Sequence, residues 1–300
     1  SVVVQPSGVT TFQTSLARGG AYLLKASGTL NVGGTAVDAE FAGFDATGNG
    51  AMDIVAGIDV GVDVGLLEVH PMNHYTVVPS GPGRMKWYGS HRADHTYYMW
   101  ITGAGAPLTL KLAAPAGSPG QGASGISVSI FELAAPSPAT FQPMPGPMPP
   151  SPAAPKIGKG ALETVYVPVT KTIVHGTVTT DKAAVYLLQA SGAAICGGGG
   201  LSMGDADYMD WTAAGAGFND GEAGVDFGLG VDELNVGQGA GVIGGGYGHR
   251  LKGWGPFRND HIYFMLYAGT GNPLSFVYWD SGYGDNSTTQ ALAVNVFPLP

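Results

Sequence analysis

Charged residues are scarce in this chain. Asp, Glu, Lys and Arg together make up 12% of its 300 residues, about half of their usual share in globular proteins. Because the exposed faces of helices are normally covered by these residues, the shortage argues against an all-helical protein. The hydrophobic content of 44% is still enough for a sizeable core. Together these observations predict an all-β protein whose many glycines and prolines separate short strands.

Cysteine and positive charge are also in short supply. The single cysteine, Cys196, excludes an intrachain disulfide. The 13 basic and 22 acidic residues give a net charge of −9, which opposes binding to nucleic acid or anionic lipid, because phosphate contacts need clustered Lys and Arg. Polyanions are therefore not expected partners.

Long apolar runs are absent as well. No run reaches the roughly 18 residues of a transmembrane span, and no basic segment followed by an apolar one marks a signal peptide. We therefore expect a soluble protein without membrane insertion. It would be made in the cytoplasm and then released, displayed on a surface or carried on a virion.

The chain contains an internal repeat. AYLLKASG at residues 21–28 recurs as VYLLQASG at residues 185–192, and RADHTYYM at 92–99 recurs as RNDHIYFM at 258–265. VDVGL at 62–66 and ISVSIF at 126–131 have counterparts in the same order, VDFGL at 225–229 and LAVNVF at 292–297. Collinear matches of this kind predict a duplicated domain.

A proline-rich segment separates the two copies. Residues 134–156 contain nine prolines in 23 residues, a composition that forbids helix and favours an extended linker. The predicted domains are therefore 1–133 and 157–300.

Each copy has short runs of β-branched and aromatic residues between Gly, Pro, Asn and Asp, which is typical of antiparallel strands. We predict two β-sandwich domains, jelly-roll-like, with strands at 22–26, 96–102, 108–112, 126–131, 185–190, 262–268, 274–279 and 291–297.

One loop of the second copy is rich in oxygen ligands. Asp280, Asp285 and Asn286 lie within seven residues, among glycines that let a short loop fold tightly. Ca²⁺ prefers such mixtures of carboxylate, amide and carbonyl oxygens. A polar turn without a metal is the simpler alternative.

The strand FVYWD, the loop SGYGDNS and the last strand ALAVNVF resemble the calcium-dependent galactophilic lectins of bacteria, the PA-I-like family. The resemblance covers the second copy. It implies a jelly-roll domain with one Ca²⁺ that coordinates sugar hydroxyls directly. It also implies metal ligands at Asp280, Asp285 and Asn286 and at the carbonyls of Gly282 and Cys196, with Asn286 also contacting the sugar.

Aromatic residues beside this loop are candidates for stacking on a sugar. Tyr283 and Trp279 are the candidates closest to the predicted ligands, although aromatic residues in a sandwich more often belong to the core. The corresponding loop of the first copy, residues 112–121, has no carboxylate, and Ala114 stands opposite Asp280. We expect no metal in that loop, and a spacer or anchoring role for the first domain.

Two further patterns have mainly structural explanations. The acids at Asp38 and Glu40, and at Asp205 and Asp207, are expected to lie on a solvated strand face, since residues two apart share a face. The tetrads at 92–95 and 258–261 each contain Arg, Asp and His. They are expected to close a turn, because the tetrad also occurs in the first copy, whose loop lacks the acids. The alternative is a histidine that acts as a base oriented by the aspartate.

The oxygen-rich loop, together with what the resemblance implies, leads us to expect a non-enzymatic, calcium-dependent carbohydrate-binding protein with no catalytic residues. The alternative is a decoration, fibre or tail protein of a virus or phage particle, which could itself bind glycans. In either case we expect a homo-oligomer or a larger assembly such as a capsid or fibre.

Overall fold

The protein is all-β, as predicted. The computed structural model describes residues 1–4, 9–32, 34–42, 51–52, 61–64, 69–71, 87, 91–113, 120–121, 125–136, 154–155, 157, 159–182, 184–196, 203–209, 218–219, 228–232, 254, 257–280 and 282–300. Within these ranges there are 24 strands and no helix, so none of the described residues forms a helix able to cross a bilayer. The chain divides into two compact units, one formed mainly by its first half and one mainly by its second half.

The first unit consists of three antiparallel sheets. Their strand orders are β1-β13-β3-β10-β9, β2-β11-β8 and β12-β4-β5-β6-β7. The strands are β1 (Val2–Val4), β2 (Val9–Ser15), β3 (Ala21–Ser27), β4 (Leu30–Val32), β5 (Thr35–Val37), β6 (Phe41–Ala42), β7 (Ala51–Met52), β8 (Gly61–Val64), β9 (Val69–Pro71), β10 (Thr96–Gly103), β11 (Pro107–Ala113), β12 (Gly120–Gln121) and β13 (Ile126–Ala134).

The second unit also consists of three antiparallel sheets. Their orders are β14-β24-β16-β22, β15-β23-β21 and β17-β18-β19-β20. The strands are β14 (Glu163–Pro168), β15 (Val174–Thr179), β16 (Val185–Ser191), β17 (Ala194–Ile195), β18 (Met203–Gly204), β19 (Tyr208–Met209), β20 (Phe218–Asn219), β21 (Gly228–Val231), β22 (Ile262–Ala268), β23 (Pro273–Trp279) and β24 (Ala291–Pro298).

Burial explains why the repeated segments form the central strands. All seven residues of β16 are buried between β22 and β24, so buried and exposed residues do not alternate along this strand. The edge strand β14 alternates instead, with Val165 and Val167 buried and Tyr166 41% exposed. All eight strands predicted from the sequence are present. The very short strands, such as β17 and β18, give no pattern that a sequence reading could detect.

The two units repeat one another in strand order. In both, the strand containing YLL pairs with the last strand and with the strand that follows the Arg-x-Asp-His tetrad. This agreement is what a duplicated domain would produce, and the duplication and its jelly-roll topology stay predictions. Most of the predicted linker, 134–156, lies outside the described residues, so its boundaries also stay predictions.

Candidate functional site

The loop that carries the predicted calcium ligands packs against the segment that contains Cys196. It connects β23 to β24. The Ser287 N–H donates to the Ile195 carbonyl (3.0 Å), and the Ile195 N–H donates to Oε1 of Gln290 (2.8 Å). Two hydrogen bonds therefore fix the loop to β17, next to Cys196.

The start of the loop is closed by its own tyrosine. The Asp280 N–H donates to the Tyr283 hydroxyl (3.1 Å), and that hydroxyl donates to the Tyr278 carbonyl (3.0 Å). Oδ1 of Asp280 lies 3.4 Å from the Gly282 nitrogen. The Tyr283 hydroxyl thus forms hydrogen bonds within the loop. The half-buried ring of Tyr283 is the part of the side chain that could contact a ligand.

Asn286 is held in one orientation. Its Nδ2 donates to the Val169 carbonyl (2.7 Å), and because a carbonyl can only accept, the amide nitrogen must face it. Its Oδ1 is buried and has no hydrogen-bond partner among the described residues. A buried acceptor left unpaired costs about 1–3 kcal/mol, which a cation or a hydroxyl donor would offset.

The other predicted loop ligands are more accessible. Gly282 and Asp285 are exposed, and Trp279 is half-buried. An ion bound beside Asn286 could therefore keep coordination positions open toward solvent.

Cys196 is buried, and its thiol is unreactive. Its Sγ lies 3.3 Å from the Ala194 carbonyl and 3.3 Å from the Tyr278 hydroxyl. Burial raises the pKa of the Cys196 thiol to about 12, and the negative charges of Asp280 and Asp205 act in the same direction. The thiol therefore stays neutral near pH 7 and is not available as a thiolate ligand.

A second cluster, which the sequence reading did not assign, is built around Asp205. Its Oδ1 accepts hydrogen bonds from the N–H groups of Asp207 (3.0 Å) and Tyr208 (2.9 Å). Its Oδ2 lies 2.9 Å from Nδ1 of His261 and accepts from the Tyr263 hydroxyl (2.6 Å). Both Asp205 and His261 are fully buried. Burial and the charge of Asp205 raise the pKa of Tyr263 well above its usual value.

The first unit has the same arrangement around Asp38. Oδ1 accepts from the N–H groups of Glu40 (2.9 Å) and Phe41 (2.7 Å). Oδ2 lies 2.9 Å from Nδ1 of His95 and accepts from the Tyr97 hydroxyl (2.8 Å). The structure therefore repeats one Asp–His–Tyr frame around a buried aspartate in both units.

The expectation of exposed acids on a strand face is wrong for Asp38, Glu40 and Asp205. These residues lie in turns between short strands and are fully buried. For Asp38 and Asp205, burial is possible because backbone and side-chain donors contact both carboxylate oxygens. The signal that could have revealed them is the repeat itself, since Asp-Ala-Glu-Phe at 38–41 corresponds to Asp-Ala-Asp-Tyr at 205–208.

The tetrads do close turns, as predicted. Arg92 pairs with Asp94 through two nitrogens, and Arg258 pairs with Asp260 in the same way. The histidine that ends each tetrad turns away from this ion pair toward the buried Asp38 or Asp205. The prediction that loop 112–121 binds no metal falls mostly outside the described residues.

Comparisons of the chain with protein-family models, with curated proteins and with solved structures found no match. The resemblance to the calcium-dependent lectins therefore rests on the residues of the second unit alone.

Proposed function

We propose that the second unit binds one Ca²⁺ in the loop 280–286 and, through this ion, a carbohydrate. The observation that carries the proposal is Asn286, whose amide nitrogen is tied to Val169 while its buried oxygen has no hydrogen-bond partner among the described residues. An oxygen fixed in this way, with the Asp280 carboxylate in the same loop, is the donor chemistry that Ca²⁺ requires.

The binding would be coordination without turnover. Asp280, Asp285 and Asn286 would supply side-chain oxygens, and Gly282 and Cys196 would supply carbonyls. Vicinal hydroxyls of a galactose-type sugar would occupy the open positions of the ion. The half-buried rings of Tyr283 and Trp279 are the candidates for covering the apolar face of the sugar.

Several features agree with this proposal. The loop is fixed to β17 by hydrogen bonds at Ser287 and Gln290, so the ligands are held in place before an ion arrives, which lowers the cost of ordering them. The exposure of Asp285 and Gly282 leaves a route for the sugar. The neutral thiol of Cys196 would not compete as a soft ligand.

Thermal melting of the full chain in EDTA and then in millimolar Ca²⁺ tests whether the protein binds the metal. A ligand that binds only the folded state at a hundredfold excess over Kd stabilises it by about 2.7 kcal/mol, so we expect Tm to rise by several degrees. In Asp280→Ala the rise should vanish, and so should retention on a galactose resin. Asp181→Ala, which removes an exposed acid outside the loop, should behave like the wild type.

Two results would contradict the proposal. One is the absence of any Ca²⁺-dependent change in Tm in the wild type. The other is galactose binding that persists in Asp280→Ala. The first result would favour the alternative role as a component of a virus or phage particle, and light scattering of the full chain would then measure its state of assembly. The second would place the sugar site outside this loop.

A further inference from the structure

A group of metal-ligating side chains lies in the first unit, outside the proposed calcium loop. Asp38, His91 and His95 each offer one ligand atom, and these atoms lie within 4.8 Å of one another. Asp38 directly follows β5, and His95 directly precedes β10. Two imidazole nitrogens and one carboxylate oxygen suit Zn²⁺ and similar transition metals, whereas Ca²⁺ prefers oxygen ligands alone.

The Asp38 carboxylate and the backbone of His95 are held in place by the surrounding fold. Asp38 is fully buried and oriented by the hydrogen bonds described above. His95 has a backbone φ of 48°, which is unusual for a residue with a side chain, and its N–H donates to the Arg92 carbonyl (2.9 Å). The turn that Arg92 and Asp94 close thus aims the His95 ring at Asp38.

The second unit provides an internal comparison. Its His261 has a φ of 51° and the same 2.9 Å contact with Asp205. However, Phe257 occupies the position of His91. Its ring meets His261 edge-on at 6.0 Å and 75°, much as the His91 ring meets His95 at 5.4 Å and 72°. A phenyl ring therefore satisfies the packing at this position, so packing alone does not require the imidazole of His91.

The two histidine sites also differ in exposure. The His95 side chain is 24% exposed, while His261 is fully buried. His91 is half-buried as well. An ion could therefore reach the cluster in the first unit from solvent, whereas its counterpart in the second unit is closed.

We propose that the first unit binds a Zn²⁺-like transition-metal ion through Asp38, His91 and His95. Ligand atoms at about 2.0–2.1 Å from a shared tetrahedral ion lie about 3.4 Å apart, so small side-chain rotations would bring the present atoms into place. Three protein ligands leave a fourth position for water, and the bound ion would be exchangeable. This site is independent of the proposed calcium loop and shares no residue with it.

Zinc titration of the full chain in millimolar Ca²⁺ tests the proposal. The wild type should bind one Zn²⁺ per chain at this site. His91→Phe introduces the residue found at this position in the second unit and should lower the Zn²⁺ affinity by at least about tenfold. Mutation of residues that only hydrogen-bond to a metal ligand already lowers metal affinity by about that factor. His175→Phe removes an exposed histidine elsewhere and should keep the wild-type affinity.

Equal Zn²⁺ affinity in His91→Phe and the wild type would overturn the proposal, as would loss of binding in His175→Phe. The Tm of His91→Phe in EDTA should match that of the wild type, because a phenyl ring fits this position. If His91→Phe does not fold, the Co²⁺ spectrum of the wild type decides instead. Intense d–d bands of a tetrahedral ion support the site, and weak octahedral bands or no bands overturn it.

Discussion

At the scale of single residues, Asp205 shows how a charged group can be completely buried in this fold. Its two oxygens contact four donors, from two backbone N–H groups, His261 and Tyr263. A buried carboxylate is tolerated only when such partners replace water. Asp205 therefore acts as an internal connector between the turn after β18 and the start of β22.

Replacing Asp205 by Asn tests this role. The amide keeps one oxygen for the backbone donors, but its nitrogen cannot accept the hydrogen bond from Tyr263. We expect the free energy of unfolding to fall by about 1–3 kcal/mol, the usual cost of an unpaired buried group. Urea unfolding in EDTA measures it, with the exposed Asp285→Asn as control. An unchanged midpoint in Asp205→Asn would show that the frame does not stabilise the fold.

At the scale of elements, the proposed calcium loop depends on the close approach of β18 to β23. Gly204 of β18 faces the side chains of Tyr278 and Cys196, and a Cβ added there would overlap the Tyr278 hydroxyl and lie 2.9 Å from Sγ of Cys196. Tyr278 is fully buried and its carbonyl accepts from Tyr283. The short sheet thus supports the strand end from which the loop starts.

Gly204→Ala should therefore destabilise the second unit. Overpacking of a well-packed interior typically costs about 1–3 kcal/mol, and the Ca²⁺-dependent rise in Tm should shrink because the loop loses its support. Gly160→Ala is the matched control, since a Cβ at Gly160 meets no atom within 4 Å and the residue lies outside the proposed calcium loop. Thermal melting with and without Ca²⁺ compares the two variants. Equal behaviour of the two would contradict the role of β18.

At the scale of the whole molecule, the two units share the Asp–His–Tyr arrangement but differ in the candidate metal ligands that each unit adds to it. The first unit adds His91 to the buried Asp–His pair, and the second adds an oxygen-rich loop at residues 280–286. Nitrogen ligands select transition metals, and oxygen ligands select Ca²⁺. One protein could thus hold two different ions, each by its own unit.

Calorimetry of the full chain with each ion alone and with both tests this division. Because the two sites share no ligand, their stabilising effects should add when both ions are present. Asp280→Ala should remove only the effect of Ca²⁺, and His91→Phe only that of Zn²⁺. If one variant removed both effects, the two ions would be competing for one site.

The sequence by itself determined the strand class, the position of the eight main strands and the turns closed by the Arg–Asp pairs, because these depend on local composition and on residues two apart. The closeness of the loop to Cys196 was implied by a resemblance. Only the tertiary structure decided that Asp38 meets His95 across 57 residues and that Asn286 is fixed by Val169 across 117. Such contacts depend on the register of distant strands, which local patterns do not specify. For the same reason, acids expected to face solvent are buried.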